Sequence, residues 1–316
     1  MFGELKLLAG NSNLELFKDV AQHLNLPLCS AVIKRFSDGE SFVRIEENIR
    51  GADVFVLQST SAPANENLME LLVMIDALKR ASARRITAVL PYYGYARQDR
   101  KDSPRTPISA RLVADLLQVA GAHRVFCLDL HAAQIQGFFN IPVDHLFAAP
   151  VLLKRMKEII TESNNEAVLI SPDAGGVERA RAFGKRLGCS IAVVDKRRDA
   201  PGQIAEVNII GDIRGKEAII LDDIVDTAGT MAEVARALVQ QGAKKVWACA
   251  THGVLSGPAT KRIQDSPLER LLITDTVPLD GKRSECPKIE VLTVASLLAD
   301  AIKRIHQSDS VSNLFV

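Results

Sequence analysis

The sequence predicts an α/β protein of two similar domains, each a mainly parallel sheet flanked by helices. Three observations predict it. Short aliphatic and β-branched runs alternate with segments of helical spacing along most of the chain, the pattern of a parallel sheet covered on both faces. The 316 residues make about two domains of ordinary size. A block from Gly121, Gly-Ala-His-Arg-Val ending at His131, is echoed from Gly242, Gly-Ala-Lys-Lys-Val ending at His252, an offset of 121 residues.

The runs at 54–57, 86–90, 125–130, 168–170, 191–194, 218–221, 246–250, 271–273 and 289–294 are rich in Val, Ile and Leu and have the length of buried strands. Between many of them, 65–81, 109–119, 149–160, 176–187 and 230–241 place apolar residues at helical spacing. Gly121 and Gly242 each stop a helix before the next strand begins. The boundary falls near 146–150, so a first domain is expected over 1–147 and a second over 148–294. Residues 295–316 are expected as a C-terminal helix and tail that pack back on the first domain.

Composition excludes several classes. With 47% hydrophobic and 24% charged residues the chain matches a globular protein. Its 39 Lys and Arg balance 38 Asp and Glu, so no global field draws it to nucleic acid or to an acidic membrane, and any anion must be held locally. The apolar runs are too short to span a bilayer. The first ten residues hold one apolar patch, 5–9, without a basic leader or a small-residue cleavage site, and five scattered cysteines form no Cys-x-x-Cys pair. A reducing, cytoplasmic setting is expected.

The segment from Ala218 to Thr230 carries most chemistry. A buried strand delivers Asp222 and Asp223 to its carboxyl end, and the turn Asp226-Thr227-Ala228-Gly229-Thr230 starts a helix. In an open α/β sheet ligands bind there. Such a turn offers backbone N–H groups, two hydroxyls and a helix N-terminus to a phosphate. Asp222 and Asp223 suit vicinal sugar hydroxyls or a metal. Plain helix capping is the alternative for any one of these residues. Asp-Asp-x-x-Asp also matches the metal motif of isoprenoid synthases, but that motif sits on a helix in an all-helical fold, and here a strand precedes it. Neither a Gly-x-x-x-x-Gly-Lys-Ser/Thr loop nor a Gly-x-Gly-x-x-Gly turn after a strand occurs.

The Asp222 to Thr230 segment resembles the ribose 5-phosphate loop of the phosphoribosyltransferase fold. Phe36-Ser37-Asp38-Gly39-Glu40, the run from Tyr92 to Lys101, Asp129-Leu130-His131, Ser171-Pro172-Asp173-Ala174-Gly175-Gly176 and Asp195-Lys196-Arg197-Arg198 all resemble the ribose-phosphate pyrophosphokinase family. The resemblance extends from about Gly10 to Phe315 and makes both expected domains phosphoribosyltransferase-like.

That resemblance implies roles for particular residues. Phe36, Asp38, Gly39 and Glu40, with Arg97 and Gln98, would bind ATP, the first loop reaching the ATP site of a neighbouring subunit. The residues support this: an aromatic with two acceptors can stack on adenine and read its amino group, and the cations Arg97, Arg100 and Lys101 suit a polyphosphate. His131 and Asp173 would ligate Mg²⁺, although a lone His at a strand end is more often simply hydrogen-bonded. Lys196 and Arg198 would be catalytic, on a mobile loop closing over the reacting phosphates. Ribose 5-phosphate would be held by Arg198, Asp222, Asp223 and the turn from Asp226 through Thr227, Ala228 and Gly229 to Thr230. Asp199-Ala200 departs from the family, where a Pro-rich stretch is usual.

The implied reaction moves the intact pyrophosphoryl group of ATP to the anomeric hydroxyl of ribose 5-phosphate, with the active site between domains and no side chain standing out as general base. Arg50, Ser82, Gln136 and Asp144, with Ser310, Ser312 and Asn313 of the tail, are implied as a phosphate and ADP regulatory site between subunits of a homohexamer. Two other readings use the same fold. A phosphoribosyltransferase would run the loop in the opposite sense, which the duplicated domain and the Arg97 to Lys101 segment oppose. A non-catalytic regulatory paralogue is opposed by retention of Lys196, Arg198, His131 and Asp173.

Overall fold

A computed structural model describes residues 3–163, 166–197 and 206–314. The chain divides into two units. The first comprises Met1–Ala148, Thr276–Pro278 and Thr293–Val316, and the second Ala149–Asp275 and Leu279–Leu292. No described helix is long and apolar enough to cross a membrane.

In the first unit, β1 (Leu5–Ala9) leads into α1 (Leu14–Leu24), whose Leu16, Phe17, Val20 and Ala21 are buried on one face. A separate antiparallel hairpin, β2 (Ala31–Arg35) and β3 (Ser41–Ile45), follows. Then come β4 (Asp53–Leu57), α2 (Ala64–Arg80), β5 (Arg85–Leu90), α3 (Ser109–Ala120), β6 (Arg124–Leu128) and β7 (Val143–Leu146). All five sheet strands are parallel, in the order β1-β4-β5-β6-β7. Each of β4 and β5 is buried almost throughout, which is why both read as continuous apolar runs.

The second unit begins with α4 (Ala149–Ser163), β8 (Ala167–Ser171), α5 (Val177–Leu187), β9 (Ser190–Arg197) and β10 (Glu206–Ile210). It continues with β11 (Glu217–Val225), α6 (Gly229–Gln240), β12 (Lys245–Gly253), α7 (Ala259–Gln264), β13 (Leu271–Thr274), α8 (Lys282–Glu285) and β14 (Ile289–Leu292). Its seven strands are ordered β10-β9-β8-β11-β12-β13-β14, parallel except for the antiparallel β9–β10 pair. From β8 the chain winds outward through β9 and β10, then crosses back to β11 and winds the other way. The strand order therefore reverses between β8 and β11.

The last helix, α9 (Ala295–Gln307), belongs to the first unit. Its amphipathic face buries Leu298, Ala301, Ile302 and Ile305. At its end His306 Nδ1 lies 2.7 Å from Asp53 Oδ2, and the Ile305 carbonyl accepts from Arg85 Nη2 at 3.1 Å. Asp53 is fully buried and also pairs with Arg85, so a charge at the start of β4 is satisfied by two partners rather than left unpaired.

Elements differ from expectation where local pattern is weak. The hairpin β2–β3 has no fully buried residue and carries no long apolar run, and β10 is recognised through its pairing with β9. The strand expected to stop at 221 continues as β11 to Val225, so Asp222 and Asp223 lie inside the ladder, Asp222 opposite Ala250 of β12. The echoed histidines are not equivalent: β6 ends at Leu128 and His131 is exposed beyond it, whereas His252 is 2% exposed within β12.

Candidate active site

In the second unit, Ala218 to Leu221 are fully buried, and this apolar anchor lets β11 carry polar residues in its last turn of pleat. Asp223 is 5% exposed and Asp222 half-buried. Arg179, from the first turn of α5, serves both: its Nη1 is 3.1 Å from Asp223 Oδ1 and 3.7 Å from Asp222 Oδ1. The Asp223 N–H also donates to Asp222 Oδ1 at 2.9 Å. Burial, then the charge of Asp223, push the Asp222 carboxyl up to about 7, against the opposing pull of Arg179. Arg179 thus bridges two adjacent carboxylates at the strand end, acceptors of a kind that suits hydroxyl donors.

The turn that follows places Asp226 half-buried, Thr227 exposed and Ala228 buried before α6 starts at Gly229. Ala228 adopts a left-handed backbone at φ 55°, unusual for a residue with a Cβ. Thr230 is exposed on the first turn of the helix. This is a helix N-terminus preceded by a tight polar turn, able to accept an anion.

Asp173 lies after β8, the strand beside β11 at the reversal. Its Oδ1 accepts the Gly176 N–H at 3.0 Å, and its carbonyl accepts Ser171 Oγ at 2.7 Å. A Cβ on Gly176 would fall 2.8 Å from Ser171 Oγ, so a side chain there would press on the hydroxyl that bonds the Asp173 carbonyl. The exposed Asp173 and the Asp226 to Thr230 turn thus stand at the carboxyl ends of the two strands that flank the switch point, where open α/β sheets bind ligands. Lys196 is in β9, its backbone opposite Val207 of β10. Arg198 and Asp199-Ala200 lie outside the described residues.

In the first unit the segment after β5 is fastened from within. Tyr93 Oη donates to the Ala110 carbonyl at 2.9 Å, and Gly94 N–H to Thr60 Oγ1 at 2.6 Å. Burial pushes the Tyr93 phenol well above its ordinary range. Arg97, Gln98, Arg100 and Lys101 are exposed on this footing. Gln98 is partly engaged, since its Oε1 accepts Ser109 Oγ and its carbonyl accepts the Ala110 N–H at 3.1 Å.

Phe36 is 50% exposed near the tip of the β2–β3 hairpin, edge-on to Phe42 with centroids 5.3 Å apart. Gly39 takes φ 92°, and Asp38 Oδ1 accepts the Glu40 N–H at 3.1 Å, a turn that leaves Phe36, Asp38 and Glu40 in solvent. His131 follows Leu130, whose N–H donates to Nε2 of the buried His145 at 2.9 Å. Asp129 holds the same strand end, Oδ2 accepting the Ala148 N–H at 2.7 Å.

Of the residues implied in regulation, Arg50 and Ser82 are brought together, Nη1 to Oγ 3.1 Å. Asp144 pairs with Arg124 at 2.6 Å, and Gln136 contacts His145 Nδ1 at 3.3 Å. Ser310 caps the tail turn, its carbonyl accepting Arg304 Nη1 at 3.1 Å and its Oγ the Ser312 N–H at 3.2 Å, while Asn313 is exposed. Among the described residues no hydrogen bond joins these three groups to one another.

Two residues of this region carried no sequence signal. Arg179 reads as one more cation in the first turns of an amphipathic helix, and Arg262 as one on a short surface helix; only the fold sets them against Asp223 and Thr227. A cavity of about 640 Å³ lined by Asp212, Arg214, Gln240 and Gln241 includes none of the residues above.

Reversal of the strand order, an acid pair on β11 and a polar turn before α6 define the second unit as a doubly wound α/β domain with a candidate ligand site at its switch point. Family descriptions agree: the N-terminal domain of ribose phosphate pyrophosphokinase matches residues 5–121, and the phosphoribosyl synthetase-associated domain matches 199–316. The chain is 55% identical over 311 residues to the ribose-phosphate pyrophosphokinase of Caldanaerobacter subterraneus subsp. tengcongensis, covering 98% of each. It is 56% identical over 312 residues to that of Agrobacterium fabrum, covering 98% of this chain and 100% of the relative. The crystal structure of phosphoribosylpyrophosphate synthetase from Mycobacterium smegmatis matches with a TM-score of 0.91 at 45% identity, over 96% of this chain and 99% of that one. The chain belongs to the ribose-phosphate pyrophosphokinase family, and both its units have the phosphoribosyltransferase-like architecture expected of it.

Proposed function

We infer that this chain is a ribose-phosphate diphosphokinase, a transferase that passes the pyrophosphoryl group of ATP to the anomeric hydroxyl of ribose 5-phosphate and yields phosphoribosyl pyrophosphate and AMP. The observation that carries this reading is the succession on one strand end of an acid pair, suited to ring hydroxyls, and a turn suited to a phosphate, in a chain of this family.

In the proposed mechanism the Asp226 to Thr230 turn holds the 5-phosphate through its amides and hydroxyls. Asp222 and Asp223, oriented by Arg179, accept the ring hydroxyls and fix the anomeric oxygen for in-line attack on the β-phosphorus. Phe36, Asp38, Gly39 and Glu40 stack on and read the adenine, and Arg97 with Gln98 holds the triphosphate. Lys196 and Arg198 neutralise the charge that develops as AMP leaves.

Mg²⁺ is proposed as the cofactor, with His131 and Asp173 as its protein ligands. Among the described residues no group of three or more His, Cys, Asp or Glu converges, so a dedicated cage is not what these side chains offer. An exposed carboxylate at a ligand-binding strand end suits an ion that takes most of its oxygens from water and phosphates. When bound, the ion offsets phosphate charge and orients the transferring group. The further proposals are a cytoplasmic homohexamer regulated by phosphate and ADP, with Arg50, Ser82, Gln136, Asp144, Ser310, Ser312 and Asn313 contributing to that regulatory site.

The test is a product assay on purified protein with Mg²⁺, ATP, phosphate and ribose 5-phosphate, resolving AMP from ADP. AMP formed only when ribose 5-phosphate is present is the expected result. ADP instead of AMP, or neither, overturns the reading, and silence across phosphate and Mg²⁺ concentrations favours a regulatory paralogue.

A further inference from the structure

One stretch of the second unit is bonded to the phosphate turn repeatedly and in register. The Leu255 N–H donates to the Val225 carbonyl at 3.0 Å, the Ser256 N–H to the Asp226 carbonyl at 3.1 Å, and Arg262 Nη1 to the Thr227 carbonyl at 3.0 Å. Three consecutive carbonyls, the last of β11 and the first two of the turn, are thereby taken by the segment between β12 and the end of α7. Bonds to these carbonyls hold the path of the chain here and with it the orientation of its peptide planes.

The same segment carries the backbone cost of this arrangement. Leu255 is 1% exposed and adopts φ 51°, and Ala228 adopts φ 55°, each a left-handed conformation that is costly for a residue with a Cβ. Such conformations persist when the surroundings over-determine them. The first two bonds come from backbone amides just after the end of β12. The third comes from an exposed side chain, and it is charged. Arg262 Nη1 also lies 3.5 Å from the point where a Cβ on Gly229 would be, so the guanidinium covers the start of α6 while its remaining N–H groups face solvent.

We propose that Arg262 is a positioning residue for the sugar-phosphate site. It pins the Thr227 carbonyl so that the turn from Asp226 to Thr230 keeps its amides presented, and it adds a positive charge beside the bound 5-phosphate. The inference rests on the proposed ribose 5-phosphate site, and its consequence is specific to one substrate. Loss of Arg262 weakens recognition of the sugar phosphate and leaves the nucleotide untouched.

The experiment compares wild type, Arg262→Ala and Arg262→Lys by initial rates in each substrate, by calorimetric titration with ribose 5-phosphate, and by thermal melting without ligand. For Arg262→Ala the KM and Kd for ribose 5-phosphate should rise about tenfold, the scale of one charge-assisted hydrogen bond. Its KM for ATP should stay within about twofold, and its melting temperature near that of wild type. Arg262→Lys, which keeps a cationic donor, should recover most of the loss. An unchanged KM and Kd for ribose 5-phosphate in Arg262→Ala overturns the inference, as does an equal rise for both substrates with a lowered melting temperature. The titration decides the point even if wild type forms no AMP, an outcome that would instead remove the diphosphokinase reading.

Discussion

The two units share an architecture and an internal echo, yet they place their chemistry differently. In the first, the strand order β1-β4-β5-β6-β7 runs in one direction and never reverses; in the second it reverses between β8 and β11. A reversal splays adjacent crossover connections to opposite faces and opens a crevice at the strand ends. Asp173, Asp222, Asp223 and the Asp226 to Thr230 turn gather there. The first unit instead displays its implied nucleotide residues on a loop after β5 and on a hairpin outside the main sheet. The two units repeat one kind of frame, and strand order with loop content gathers the second unit's acids and polar turn at its switch point.

This contrast predicts that substitutions in the two units separate by substrate and by kinetic constant. The largest effect is expected in the second unit: Lys196→Ala should lower kcat by about a hundredfold or more, the scale of losing one group that stabilises developing charge, with little change in ribose 5-phosphate affinity. Steady-state kinetics checks it, and an unchanged kcat removes Lys196 from its assigned role.

A smaller effect is the pH dependence of the acid pair. With its pKa at about 7, Asp222 is protonated in the folded protein below neutrality and gains acceptor capacity as pH rises. Calorimetric affinity for ribose 5-phosphate should therefore increase through pH 7, and Asp222→Asn should lose that component while keeping the titration of the phosphate itself. Stability moves the other way. The unfolded carboxyl ionises near 3.8, so between about 4 and 7 the native state holds the extra proton and rising pH destabilises it. Equal pH profiles for wild type and variant would break the assignment.

The smallest effect belongs to the first unit. Phe36 is already half exposed, so Phe36→Ala should scarcely alter melting. It should raise the KM for ATP by about five- to tenfold, the scale of a lost aromatic stacking contact, and leave the KM for ribose 5-phosphate unchanged. A rise in the sugar constant instead would blur the division between the units.

Much of this was legible in residue order because it is local. Buried parallel strands announce themselves as apolar runs, and the Ala218 to Thr230 segment encodes strand, acids, turn and helix start within a few turns of chain. The resemblance that implies the phosphoribosyltransferase-like class is carried by such contiguous motifs. What lay beyond it depends on partners distant in sequence. Asp53 reads as an ordinary charge before a strand until Arg85 and His306 enclose it. Arg179 and Arg262 become part of a site only because α5 and α7 return to the end of β11. The raised pKa of Asp222 needs burial and a neighbouring carboxylate together. Covalent order sets which groups are available and the local conformations they favour, whereas desolvation, charge pairing and the bracing of a strained turn arise only when remote segments are packed against them.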